Sequence, residues 1–174
     1  MQAWLCETLD GVDALKWKDL PTPEPQAGEV RIAIQAASLN FPDSLTIVGK
    51  YQFKPDLPFV PGSEMAGRID AVGDGVTQLK VGDLVAGISS SGAFATHAVM
   101  PAARVLPLPA DFDLDDASAF AFTYGTSHHA LMDRGRLQPG ETVLVLGAAG
   151  GVGSSAVQIA KAAGARVIAA ASSD

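Results

Sequence analysis

The chain has 174 residues, 48% of them hydrophobic and 18% charged, with a formal net charge of -7. That composition suits a globular protein with a core and excludes a disordered tail, and its acidity leaves no attraction for nucleic acid or anionic lipid. No run of about eighteen apolar residues is present to span a membrane, and Met1-Gln2-Ala3-Trp4 lacks the basic and apolar stretches of a signal peptide.

From Met1 to about Leu108 the sequence reads as short strands broken by Gly, Pro and Asp. Cys6 is the only cysteine. It can form no intramolecular disulfide and no multi-thiolate zinc site, which fits a reducing cytoplasm. With no His or basic residue beside it in sequence, Cys6 reads as a small residue packed in a first strand. Residues 29–36 and 64–72 alternate polar and apolar side chains, the mark of half-buried strands. A turn over Gly73-Asp74-Gly75-Val76 follows, Val81-Gly82-Asp83 leads into another strand, and residues 92–99 give one more. Such spacing with no long helix predicts a small barrel or sandwich.

A second texture begins near Asp111. Asp111, Asp113, Asp115 and Asp116 crowd the start of a predicted helix that runs to Met132-Asp133-Arg134. After a turn at Pro139-Gly140, Thr142-Val143-Leu144-Val145-Leu146 is wholly apolar, as expected of a parallel strand covered on both faces. A glycine loop, a helix closed by Gly164 and a second apolar strand over 166–171 complete a β-α-β unit.

The loop is Gly147-Ala148-Ala149-Gly150-Gly151-Val152-Gly153. Gly150 is expected to turn the chain out of the strand, Gly151 to admit a pyrophosphate, and Gly153 to let the helix press on the strands. Val152, Ala156, Ala160 and Ala163 give that helix its apolar face. With a strand before the loop, a helix after it and a second strand at the right distance, the loop predicts a nicotinamide dinucleotide at the helix N-terminus, held by Gly150, Gly151, Val152 and Gly153. Ala148 departs from the strict pattern, mildly. The second strand ends in Ser172 and Ser173, hydroxyls without charge, which favours NADP. Asp174 as the ribose ligand would mean NAD instead.

Ordered landmarks run through the whole chain: Asn40-Phe41-Pro42-Asp43, Gly49-Lys50-Tyr51, Pro61 to Gly67, Val81-Gly82-Asp83, Tyr124-Gly125-Thr126, and Ala148 to Gly153. With them the chain resembles the zinc-free quinone oxidoreductase branch of the medium-chain dehydrogenase/reductase superfamily. The resemblance implies an all-β GroES-like barrel, residues 1–118, followed by the start of an α/β Rossmann domain, residues 119–174. That domain is truncated after its second strand, and the active site is expected in the cleft between the two. Zinc alcohol dehydrogenases have Cys where this chain has Asn40 and His where it has Ser63, although Glu64 is kept. Without a thiolate and an imidazole no catalytic zinc is expected.

The implied reaction is hydride transfer from NADPH to a quinone or an α,β-unsaturated carbonyl, with Asn40 and Tyr51 as donors that polarise the acceptor. Asn40 also serves as a turn residue before Pro42, and Tyr51 as a loop aromatic packed on Phe53, in the plainer readings. Asn40 and Thr126 are expected at the nicotinamide end, unless the Thr126 hydroxyl bonds its own helix. Leu45 replaces a second tyrosine of several relatives and implies a more apolar substrate. His128 and His129, adjacent on a helix, point about a hundred degrees apart and do not share a metal; His97 reads as packing. A homodimer is expected of the full-length protein. The 174-residue chain reads as an incomplete, inactive fragment. Two other readings stay open: a non-catalytic NADPH-binding protein, and an enoyl-reductase-like module of a larger enzyme, which Met1 before a first strand argues against.

Overall fold

The computed structural model describes residues 1–172, and Ser173 and Asp174 lie outside the described residues. The chain forms two compact units, one over Met1–Ala119 and one from Phe120 onward.

The first unit opens with a hairpin, β1 (Gln2–Leu5) and β2 (Lys16–Asp19), that sequence patterning does not resolve into two strands. Five more strands make an antiparallel sheet: β3 (Glu29–Ser38), β4 (Glu64–Val72), β5 (Leu84–Ile88), β6 (His97–Pro101) and β7 (Val105–Pro107). Their order is β6-β3-β4-β5-β7. Irregularities in the β3–β4 register at Arg31/Ile32 and Ile34/Ala36 bend β3, so the sheet curls into a half-barrel. Of the 92–99 segment only the end pairs as β6; Ala95 makes an isolated bridge to Ala3.

Val30, Ile32, Ile69, Val85 and Met100 pack as the main core. Each contributes about 1.5–3 kcal/mol of burial. The half-buried alternation expected of β4 fails at its start, where Glu64, Met65, Ala66 and Gly67 are all buried. The reason is a helix, α2 (Leu114–Ser118), whose Ala117 closes over Ala66 and Ala86. Cys6 is buried in a small cluster with Ile47 and Phe59, and its thiol donates to the Thr8 carbonyl. Burial, with the Asp10 charge, pushes the thiol pKa up, so it is held protonated.

The single helix expected from Asp111 to Arg134 is three pieces: α2, α3 (Ala121–His128) and a π-helical turn over His129–Arg134. The acidic start is as read, since Asp113 caps α2 through the N–H groups of Asp115 and Asp116. The break falls at Ala119, whose φ and ψ of -113° and 3° leave the helical region. In the second unit, β8 (Thr142–Leu146) and β9 (Arg166–Ala170) pair in parallel across α4 (Gly151–Ala162). β8 is not covered on both faces among the described residues: Leu144 and Leu146 are 58% and 75% exposed.

Candidate functional site

In the first unit the end of β3 and the start of β4 lie side by side, with Ser38 opposite Glu64. Asn40 leaves β3 as the N-cap of a short helix, α1 (Phe41–Thr46), that the sequence reading takes for a turn. Proline is at home in a first helical turn, and an acid three residues past a capping residue was the available signal. Asp43 Oδ2 accepts the Asn40 backbone N–H at 2.8 Å. Asn40 Nδ2 donates to Ser38 Oγ at 3.0 Å and to Glu64 Oε2 at 3.2 Å. The Ser38 hydroxyl donates to the same Glu64 oxygen at 2.7 Å, and the Ser63 hydroxyl to Asp43 Oδ1 at 3.1 Å.

Both carboxylates are buried, Glu64 fully and Asp43 to 8% exposure. Burial raises the Asp43 pKa above its usual 3.8, and the Glu64 charge adds to the rise; the bonds from Asn40 and Ser63 oppose it. Asn40 and Ser63 thus turn protons, not lone pairs, toward these carboxylates. Among the described residues no three His, Cys, Asp or Glu side chains gather as a metal site.

Asn40 and Asp43 line an apolar groove of about 840 Å³. Trp4, Trp17, Phe41 and Phe94 supply much of its wall. Trp4 and Trp17 meet edge to face, ring centroids 5.5 Å apart. Tyr51 is not on this wall. It lies half-buried in the bend after α1, with no hydrogen bond to its phenol and no ring stacked on it among the described residues. Leu45, half-buried on α1, is also off the groove.

The second unit builds the glycine loop. The sharp turn out of β8 belongs to Gly147, at φ +68°, and not to Gly150, whose φ of -79° any residue adopts. A Cβ on Gly153 would stand 2.2 Å from the Gly147 carbonyl oxygen, so this glycine seats α4 directly on the loop. Gly151 faces Thr123 of α3, where a Cβ would meet Thr123 Cγ2 at 3.1 Å. Of the expected apolar face of α4, Ala160 is buried and Ala156 and Ala163 are half-buried, but Val152 is 45% exposed and the polar Ser155 is buried instead. Ser155 Oγ and Ser127 Oγ, from α4 and α3, hydrogen-bond at 2.7 Å. The N–H groups of Gly151, Val152 and Gly153 find no acceptor among the described residues. They sit at the positive end of a twelve-residue helix, a ready cradle for phosphate.

Ser172 is exposed just past β9; Ser173 and Asp174, the other residues in the NADP-or-NAD reading, lie outside the described residues. Thr126 is exposed on α3, and its hydroxyl makes no bond to its own helix. His129 pairs with Asp133 at 2.9 Å, and His97 contacts Thr96 Oγ1 at 3.0 Å and Asp70 at 3.5 Å, a polar setting and not plain packing.

Residues 26–110 match the alcohol dehydrogenase GroES-like domain. The chain is 40% identical to a quinone oxidoreductase of Rattus norvegicus over 94% of its own length and 50% of that protein's. A polyketide synthase of Streptomyces halstedii is 45% identical over 95% of the chain, which covers 3% of the synthase. The quinone oxidoreductase of Thermus thermophilus, a structure described together with its complex with NADPH, superposes with a TM-score of 0.88 at 38% identity. That match covers 99% of this chain and 54% of the Thermus chain, so the chain spans about half the length of such oxidoreductases. By its half-barrel, its β-α-β loop and these likenesses, the chain belongs to the quinone oxidoreductase type of the medium-chain dehydrogenase/reductase family.

Proposed function

We propose that this chain provides the phosphate-binding loop and acceptor-side residues of a zinc-independent, NADPH-dependent oxidoreductase that reduces a quinone or an α,β-unsaturated carbonyl. The observation that carries the reading is the amino end of α4, with three unaccepted N–H groups on a loop held close by Gly147 and Gly153. The exposed Ser172 beside β9 favours a 2′-phosphate, which a carboxylate there would repel. The NADPH complex named for the Thermus relative supports the same cofactor.

When bound, NADPH would supply the hydride. Gly150, Gly151, Val152 and Gly153 hold its pyrophosphate; Ser172, with Ser173, holds its 2′-phosphate. Thr126 offers an unengaged hydroxyl to the nicotinamide end, and Asn40 contacts the ligand from the groove wall. Tyr51, with an unengaged phenol, donates to the developing charge on the acceptor's oxygen. Zinc independence is supported by the bonds that commit Asn40 and Ser63 to carboxylates. The full-length protein is read as a homodimer.

The test is fluorescence titration of the full-length protein with NADPH and NADH, followed by turnover with quinones and enones. NADPH is expected to bind at least about tenfold more tightly, a difference of about 1.4 kcal/mol. Tighter NADH binding would reverse the cofactor assignment, and absence of turnover with every acceptor would reduce the protein to a nucleotide binder. The polyketide synthase match favours a second reading, an enoyl reductase acting on thioester-linked enones. Preference for an enoyl thioester over quinones would select it.

A further inference from the structure

Asn40 is the chain's only asparagine, and it stands between two buried carboxylates. Asp43 holds its backbone N–H, and Glu64 with Ser38 holds its side chain. Glu64 Oε2 accepts from both the Ser38 hydroxyl and the Asn40 amide nitrogen, so the nitrogen is the end that faces Glu64. The two Nδ2 protons have two partners, Ser38 Oγ and Glu64 Oε2. Oδ1 turns toward the Asp43 N–H in the capping box of α1 without hydrogen-bonding it, since that N–H donates to the Asn40 backbone carbonyl, and no side-chain oxygen or nitrogen described is both buried and unpartnered. Oδ1 is therefore open to solvent, on a residue that lines the apolar groove.

We infer that Glu64, together with Ser38, is a positioning residue that locks the Asn40 amide with its carbonyl outward, so that Asn40 acts toward bound ligand only as a hydrogen-bond acceptor. The inference rests on the proposed NADPH-dependent reading of the site. It removes Asn40 from carbonyl polarisation, leaves that task to Tyr51, and makes the recognised group an O–H or N–H donor. On NADPH two groups carry that chemistry, a ribose hydroxyl and the carboxamide.

The experiment exchanges the pair in the full-length protein. Glu64→Gln replaces the acceptor that orients the amide with a side chain that also donates, and NADPH binding is expected to weaken about tenfold. Adding Asn40→Asp restores the bond with donor and acceptor reversed and still presents an oxygen to the groove; the double variant is expected to recover most of the lost affinity. A folded double variant that binds no better than Glu64→Gln alone would mean that Asn40 works as a donor, and would overturn the inference. Should Glu64→Gln fail to fold, Ser38→Ala, losing one of the two partners, is expected to weaken binding about threefold, and unchanged binding counts against the lock. In wild-type protein labelled with ¹⁵N-asparagine, the Asn40 Nδ2 protons are expected to exchange at least about tenfold more slowly than a free amide; free exchange would also overturn the lock. Slow exchange without any NADPH binding would leave the lock standing and remove the cofactor reading. The 3-acetylpyridine analogue of NADPH, which lacks the carboxamide N–H, distinguishes the donors: a tenfold loss assigns the carboxamide, and equal binding assigns a hydroxyl.

Discussion

A carboxyl group as buried as Asp43 is costly to ionise, and the site keeps it in the folded chain between an N–H and a hydroxyl. Because burial raises its pKa above 3.8, the folded state holds this proton more tightly than the unfolded chain. The resulting stabilisation is complete below 3.8 and is lost as pH rises through the higher folded value. Asp43→Asn removes the titration, so in urea denaturation between about pH 4 and about pH 7 the stability of wild type relative to the variant should fall with rising pH. A gap that widens instead would make the hydrogen bonds, not burial, the dominant influence. Tyr51→Phe tests the other end of the reading: kcat should fall about 10–100-fold with KM little changed. Asn40 was legible in the sequence as a site residue, but its direction was not. Whether an amide offers its nitrogen or its oxygen is decided by Glu64 and Ser38, which β3–β4 pairing brings beside it from distant sequence.

Elements were most legible where one physical signal dominates. The β-branched run of β8 and the run read as β4 gave the bounds Thr142–Leu146 and Glu64–Val72 as they stand, although the first four residues of β4 are all buried. The long helix failed because a crowd of acids marks a start and says nothing of a stop; the break falls at Ala119, where the first unit ends. Among the glycines the turn expected at Gly150 falls at Gly147, since a turn's φ follows from the path of the whole loop. Gly147→Ala, at φ +68° with open space around it, should cost about 1–2 kcal/mol from backbone strain alone. Gly153→Ala meets the Gly147 carbonyl and should cost about 1–3 kcal/mol, with loss of NADPH binding as α4 shifts. Chemical denaturation with parallel NADPH titration separates the two; equal effects on binding would remove the special place given to Gly153.

At the scale of the molecule the two units are unequal. The first has a five-stranded sheet with a closed core, whereas the second has a two-stranded sheet with Leu144, Leu146 and Ile168 exposed. Two strands rarely hold on their own. In hydrogen exchange on these 174 residues alone, amides of β8 and β9 should exchange before those of β3 and β4, with quinone turnover at background. Uniform protection would show the second unit to be self-sufficient. The contrast has an optical side. Both of the chain's tryptophans, Trp4 and Trp17, stand on the groove wall at 44% and 46% exposure, and the second unit has none. Intrinsic tryptophan emission is therefore a built-in gauge of one place: it should shift to the blue when apolar matter fills the groove.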